Sequence, residues 1–203
     1  MPFNRRNEFR KLEQAYCDAM WTWGEIETLL YTIFSVAAGT RSKATKEAFF
    51  AVIGFRIRLD MIHSAARVTW KDSDYLRAWN FLYSECAKHA GKRGKIAHLS
   101  GVQLRPDKPH QKRIVMLAEH KIPGGAKTYG ELKSSGYSIQ DLKVFHKEWS
   151  ILLNRLLQFC FWLLSDEVFR KHGEPINDPA HLLRRLTSPN FAARIQSHRS
   201  IRA

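Results

Sequence analysis

Large apolar residues recur at the period of an α-helix over four long stretches of this 203-residue chain. The first, second and fourth stretches are Glu8–Ala38, Lys43–Trp70 and Ser138–Lys171. The third begins after Asp72–Ser73 and leads into the segment around Arg93. Such a period places apolar side chains along one side of each helix, and these sides are buried when helices pack together. The chain is therefore predicted to be all-α, a bundle of four to five helices.

Residues that favour helix ends bound these stretches. Gly39–Thr40 follows the first, Asp72 or Ser73 offers an N-cap to the third, and Ser138 offers one to the fourth. The second stretch is predicted to form one continuous helix. Its apolar stripe consists of Phe49, Val52, Ile53, Leu59 and Ile62.

The pattern changes between residues 99 and 137, where prolines and glycines replace the helical period. Gly101–Leu104 and Arg113–Ala118 are short and β-prone, so we predict a small β-hairpin after the third long helix, with its loop at Pro106–His110. The helical domain is predicted to span residues 1–172, with the hairpin and its loops as an insertion. Residues 173–203 are predicted to form a basic C-terminal extension with a short helix near His181–Leu186.

Cysteine usage and hydropathy indicate the compartment. Cys17, Cys86 and Cys160 are odd in number and lie in apolar helical patterns, which is not typical of a disulfide framework. The polar start of the chain has no apolar leader, and the longest apolar run, Ile151–Leu164, is too short and too polar to span a bilayer. We therefore expect a soluble, cytoplasmic protein that does not enter a membrane.

The segment Lys92–His98 is the place where the sequence suggests chemistry. Arg93 keeps its charge and can hold a phosphate through a planar fork, while His98 can exchange a proton near neutral pH. Five residues on an ideal helix separate the two side chains by about 140°. Because Gly91 and Gly94 weaken regular helix, a local bend here would let Arg93 swing towards His98. A pair arranged in this way suits cleavage of an RNA phosphodiester.

Arg93, four intervening residues and His98, ending in Lys95-Ile96-Ala97-His98, resemble the Arg-x4-His signature of HEPN domains. The resemblance implies an all-α bundle that dimerises, and a metal-independent ribonuclease site formed where two copies of the motif meet. It also implies a role in defence or as a toxin, with an antitoxin or nucleotidyltransferase partner. The family usually has a polar residue after the arginine, whereas this chain has Gly94.

Two glutamates on the first helix are candidates for orienting the site. Acidic residues on the first helix of such bundles can face the arginine and histidine, so we name Glu25 and Glu27 in this role. The alternative interpretation is that either glutamate simply lies on a solvated helix face.

Positive charge is concentrated around the motif. The chain has 33 Lys and Arg against 19 Asp and Glu, and residues 88–113 contain eight of these bases against Asp107 alone. Such a cluster attracts RNA phosphates and makes affinity depend on salt. The predicted RNA-binding residues are Lys88, Lys92, Lys95, Arg105, Lys112 and Arg113.

No metal-site or cofactor motif is present in the sequence, so we expect metal-independent chemistry and no cofactor. His98 would act as general base on a ribose 2′-hydroxyl or as acid on the leaving 5′-oxygen, and Arg93 would stabilise the charge on the phosphorane. The tryptophans lie mostly at helical spacing and are predicted to be core or interface residues rather than base-stacking platforms.

Three functions remain open at this point. The first is the homodimeric endoribonuclease that the resemblance implies. The second is an inactive HEPN-like module that binds RNA or a nucleotide, with Gly94 marking the loss of catalysis. The third is a helical oligomerisation protein, for which the long and largely apolar fourth helix is the main observation.

Overall fold

The fold is all-α, as predicted, with five helices among the residues described. The computed structural model describes residues 5–97, 99–104, 113–118 and 136–172. The helices are α1 (Arg5–Ala37), α2 (Lys43–Ala51), α3 (Phe55–Thr69), α4 (Asp74–Ile96) and α5 (Ile139–His172). The predictions for α1, α4 and α5 are confirmed to within a few residues at each end.

Side-chain caps explain where α4 and α5 begin. The backbone N–H of Leu76 donates to Ser73 Oγ at 3.3 Å, so Ser73 rather than Asp72 is the N-cap of α4. Asp72 instead adopts a left-handed conformation with φ of 59°. At α5, Asp141 N donates to Ser138 Oγ and Ser138 N donates to Asp141 Oδ2, which is a reciprocal capping box.

The prediction of one continuous helix over residues 43–70 is wrong, because the chain leaves helical geometry between α2 and α3. Val52 and Gly54 are extended, with ψ of 110° and 114°. Two β-branched residues followed by a glycine lower the helix propensity here. Ile53, predicted to lie on the apolar stripe, is 97% exposed at the break, whereas Phe49, Leu59 and Ile62 are buried.

Three short strands follow α4. The backbone of β1 (Leu99–Leu104) pairs antiparallel with β2 (Arg113–Ala118), with Leu99 opposite Ala118 and Leu104 opposite Arg113. β2 also pairs with β3 (Gly136–Tyr137). The role of these strands as an insertion on a helical bundle stays a prediction. The Pro106–His110 loop, the extension over 173–203 and its short helix lie outside the described residues.

The chain divides into two compact units, and the domain boundary predicted at residue 172 stays a prediction. The first unit contains residues 1–24 and 91–150, and the second contains residues 25–90 and 151–203. In the first unit, Trp23 and Trp149 are buried with their rings 5.0 Å apart, and Leu12, Ile96 and Leu142 are also buried. In the second unit the largest buried side chains come from α1, α2, α3, α4 and α5: Ile26, Leu30, Ile33, Phe49, Leu59, Ile62, Trp79, Leu82 and Phe159.

Candidate functional site

Arg93 lies in the last turn of α4, where it is half-buried. The backbone N–H of Ala97 donates to the Arg93 carbonyl at 3.0 Å, so helical hydrogen bonding extends one residue beyond the helix. Ile96, which is buried, fixes this helix end in the core of the first unit. His98 lies outside the described residues, so its predicted partnership with Arg93 stays a prediction.

The local bend suggested at Gly91 and Gly94 stays a prediction. α4 continues through both glycines without interruption. Each glycine weakens a helix interior by about 1 kcal/mol relative to alanine, and the burial of Ile96 in the same turn opposes that loss. Arg93 is therefore held on a regular helix, and any approach to His98 depends on the chain beyond Ala97.

Tyr16, which belongs to the first unit, lies beside the motif. Its hydroxyl donates to the carbonyl oxygen of Ala97 at 3.5 Å. Burial, followed by the effect of Cys17, raises the pKa of Tyr16 above its ordinary value of 10, while Arg93 acts in the opposite direction. This contact could not be predicted from the sequence, because Tyr16 fits the apolar helical period of α1.

Lys92 connects the end of α4 to α5. Its ammonium lies 2.6 Å from Glu148 Oε2 and 5.5 Å from the ring centroid of Phe145. Both partners of the ion pair are about one-third exposed. A phosphate that binds Lys92, as the sequence analysis predicts, would therefore compete with Glu148.

The other predicted RNA-binding residues are placed less fully. Lys88 is exposed and lies 3.9 Å from Glu85 in the second unit. Only the backbone is described for Lys95 and Arg113, and Arg105 and Lys112 lie outside the described residues. Their contribution to RNA binding stays a prediction.

Glu25 and Glu27 both belong to the part of α1 in the second unit. Glu25 is exposed. Glu27 accepts a hydrogen bond from Arg58 Nη2 at 3.0 Å, in an ion pair whose side chains are 17% and 10% exposed. The Arg58 guanidinium also lies 5.8 Å from the ring centroid of Phe49. This pair gives Glu27 a structural role within the second unit, and the site-orienting role of both glutamates stays a prediction.

A groove between α1 and α5 brings together basic side chains that sequence reasoning did not single out. It has a volume of about 410 Å³ and belongs to the first unit. We call it the basic groove. Its lining residues are Arg10, Lys11, Gln14, Ala15 and Asp18 from α1 and Ile139, Lys143 and His146 from α5.

Thr22 of α1 contacts the ring of His146 on α5. Thr22 Oγ1 donates to the Asp18 carbonyl at 2.9 Å and lies 3.1 Å from His146 Nδ1. A hydroxyl has one proton, so Nδ1 of His146 is the donor in the second contact.

The cysteines differ in exposure. Cys86 and Cys160 are buried, and burial raises the pKa of Cys160 to about 12 and that of Cys86 further above its usual range. Cys17 is exposed on α1. A buried thiol with a raised pKa reacts slowly with alkylating reagents, so Cys17 is the accessible one.

Among the described residues, no group of three His, Cys, Asp or Glu side chains is arranged to hold a metal ion. Within the same part of the chain, no helix has both the length and the apolar character needed to cross a membrane. Comparisons with protein-family models, curated proteins and solved structures found no match to this chain. The resemblance to HEPN domains therefore stays a prediction from the motif residues.

Proposed function

We propose that this protein is a metal-independent endoribonuclease of HEPN type that acts as a homodimer, with Arg93 and His98 as its catalytic residues. The observation that carries the proposal is the anchoring of the segment before His98. Tyr16 from α1 contacts Ala97, and Lys92 pairs with Glu148 of α5. Catalytic groups need this kind of support, because small displacements of a reacting group cost large factors in rate.

The proposed reaction is transesterification within the RNA chain. The 2′-oxygen attacks the adjacent phosphorus after His98 removes its proton, and the bond from phosphorus to the 5′-oxygen breaks. An acid, the second His98 of a dimer or water, donates a proton to that leaving oxygen. Arg93 stabilises the negative charge of the phosphorane. The products are a 2′,3′-cyclic phosphate and a 5′-hydroxyl.

A dimer suits the geometry of α4. If the helix continued to position 98, Arg93 and His98 would be about 140° apart, and helix geometry alone would not bring them together in one chain. A composite site allows Arg93 of one copy to work with His98 of the other. Leu157 and Phe161 offer an apolar surface for association, because they lie one turn apart on α5 and are 46% and 75% exposed.

The test is incubation of the purified protein with total RNA in EDTA, beside a single-stranded DNA of matching sequence. His98→Ala and Arg93→Ala are the diagnostic variants, and His63→Ala and Arg67→Ala are controls that remove the same side chains from α3. We expect cleavage of RNA alone, resistance to EDTA, and loss of cleavage only in the diagnostic pair. Intact RNA with the wild-type protein would overturn the proposal.

The second candidate is an RNA-binding module without catalysis. The observation that favours it is that α4 continues through Gly94, the position at which the sequence departs from the family's usual polar residue. Binding of RNA that weakens with salt, together with intact RNA in the assay above, would establish this function instead.

A further inference from the structure

We propose that the basic groove and the indole of Trp21 together form a binding site for single-stranded RNA. Arg10, Lys11 and Lys143 would contact phosphates, and Trp21 would stack on a base. This inference rests on the proposed function in taking RNA as the ligand, and it adds a path for the strand on α1 and α5.

The charges in the groove favour a polyanion. Arg10, Lys11 and Lys143 are exposed, so their charged ends reach solvent. Among the described residues that line the groove, Asp18 is the single carboxylate, and it accepts a hydrogen bond from Gln14 at 2.6 Å. Lys11 lies 2.9 Å from Glu8 in a pair that is largely solvated, so a phosphate can compete for it. The lining therefore carries a net positive charge before His146 is considered.

Trp21 is exposed, whereas the other five tryptophans are buried. Its side chain is 75% exposed, whereas Trp23, Trp70, Trp79, Trp149 and Trp162 are all buried. The prediction that most of the tryptophans are core or interface residues is confirmed by those five buried side chains. An exposed indole can stack on a base of a single-stranded nucleic acid, because every base offers a face for stacking.

Helix geometry aligns Trp21 with the groove. On an ideal helix, Arg10, Gln14 and Trp21 fall within about 40° of one another, so they share one face of α1. Trp21 lies about 16 Å further along the axis than Arg10. This face is long enough to contact several nucleotides of an extended strand.

The two helices that form the groove also hold the catalytic motif. α1 contributes Tyr16, which contacts Ala97, and α5 contributes Phe145 and Glu148, which contact Lys92. All of these residues belong to the first unit. A strand bound in the groove is therefore held by the same elements that position Arg93.

Binding can be measured without cleavage by using a fluorescent single-stranded oligonucleotide with 2′-O-methyl groups, which blocks the 2′-oxygen. The diagnostic variant is Arg10→Gln with Lys143→Gln. The control is Lys46→Gln with Arg67→Gln, which makes the same change in net charge at exposed sites of the second unit. We expect the diagnostic variant to bind about tenfold more weakly and its salt slope to fall by about 1.4, whereas the control changes little. Equal effects of the two double variants, or no effect of either, would overturn the proposal that the basic groove binds RNA.

The role of Trp21 has its own measurement. Stacking should quench the fluorescence of Trp21 when the oligonucleotide binds, and this quenching should be absent in Trp21→Phe. Trp21→Phe should keep most of the affinity, and Trp21→Ala should bind about tenfold more weakly. If Trp21→Ala instead turns a dimer into a monomer without changing RNA affinity, Trp21 belongs to an interface between copies and the stacking role is wrong.

Failure of this inference is distinguishable from failure of the proposed nuclease. If the protein binds the 2′-O-methyl strand through the groove but leaves RNA intact, RNA binding in the groove is supported and the proposed nuclease activity is rejected. Normal cleavage and normal binding by the Arg10→Gln, Lys143→Gln variant would reject RNA binding in the groove and would leave the proposed nuclease activity intact.

Discussion

The hydroxyl of Tyr16 donates a hydrogen bond to the carbonyl oxygen of Ala97, 3.5 Å away, at the residue directly before His98. The two residues are 81 positions apart in the chain. The contact joins α1 to the end of the helix that carries Arg93. It therefore restrains the point at which the chain leaves α4 towards the proposed catalytic histidine.

Tyr16→Phe should lower cleavage activity more than it lowers stability. The hydrogen bond is long, so its loss should reduce the free energy of unfolding by about 0.5 to 1 kcal/mol. If the hydroxyl positions the His98 segment, kcat should fall several-fold with little change in KM. Urea unfolding and steady-state cleavage of a short RNA measure the two effects, and an unchanged kcat would show that the contact is only structural.

The same substitution should change the response to alkaline pH. Burial and Cys17 raise the pKa of Tyr16, so above about pH 10 the folded chain retains a proton that the unfolded chain releases. This contribution to stability is complete below that pH and is lost as pH rises through the folded-state pKa. Tyr16→Phe lacks it and should lose less stability than the wild type above about pH 10. Thermal unfolding across this pH range measures the effect. If the stability of both proteins declined in parallel, the raised pKa would not belong to Tyr16.

The sequence predicted best what depends on neighbouring residues. The apolar period and the caps at Ser73 and Ser138 are local signals, and they placed α4 and α5 closely. The break after α2 was missed because Val52 and Ile53 continue the apolar pattern that suggested one helix. Periodicity records which residues are apolar and does not record whether a partner helix covers them.

The candidate site was predictable only in part, for a related reason. Arg93 was identified from its spacing to His98, but Tyr16 reaches the motif across a long separation in sequence that no local pattern records. Arg10, Lys11 and Lys143 were missed because their convergence depends on the pairing of α1 with α5. The helical spacing of the tryptophans did not distinguish Trp21, which is exposed, from the five that are buried.

Glu27→Gln should destabilise the chain, and Glu25→Gln should not. Glu27 pairs with Arg58 at 3.0 Å in a setting where both side chains are mostly buried, so neutralising it leaves a poorly solvated guanidinium. We expect a loss of about 2 kcal/mol for Glu27→Gln and less than about 0.5 kcal/mol for the exposed Glu25→Gln. Denaturant unfolding measures both. Cleavage assays on fully folded protein then test the predicted site-orienting role, which would require a loss of activity beyond the loss of stability.

Glu148→Gln should strengthen RNA binding if Lys92 is a phosphate contact. Glu148 holds the Lys92 ammonium at 2.6 Å, so neutralising the carboxylate frees that charge for a ligand. Lys92→Gln should weaken binding and lower the salt slope by about 0.7. Fluorescence anisotropy with the 2′-O-methyl strand measures both variants. Weaker binding by Glu148→Gln would mean that the pair matters for positioning rather than for competition.

Phe161→Glu should separate the proposed dimer into monomers. Phe161 is 75% exposed on α5, and a charge at the centre of an apolar interface is strongly unfavourable. Val68→Glu is the matched control, because Val68 is 82% exposed on α3. Sedimentation velocity reports the oligomeric state, and cleavage should be lost with the dimer. A dimer that survives Phe161→Glu would place the interface on another surface.

RNA should protect Cys17 from alkylation. Cys17 is exposed, and on an ideal helix it lies within about 40° of both Arg10 and Trp21, so a strand along this face of α1 passes over its thiol. Cys86 and Cys160 are buried, so N-ethylmaleimide should add one label to each folded wild-type chain. Mass spectrometry over time should show slower labelling when the 2′-O-methyl strand is bound. This protection should disappear in the Arg10→Gln, Lys143→Gln variant at the same strand concentration and persist in the Lys46→Gln, Arg67→Gln control. Labelling at an unchanged rate while the strand is fully bound would place the RNA on another face of the protein.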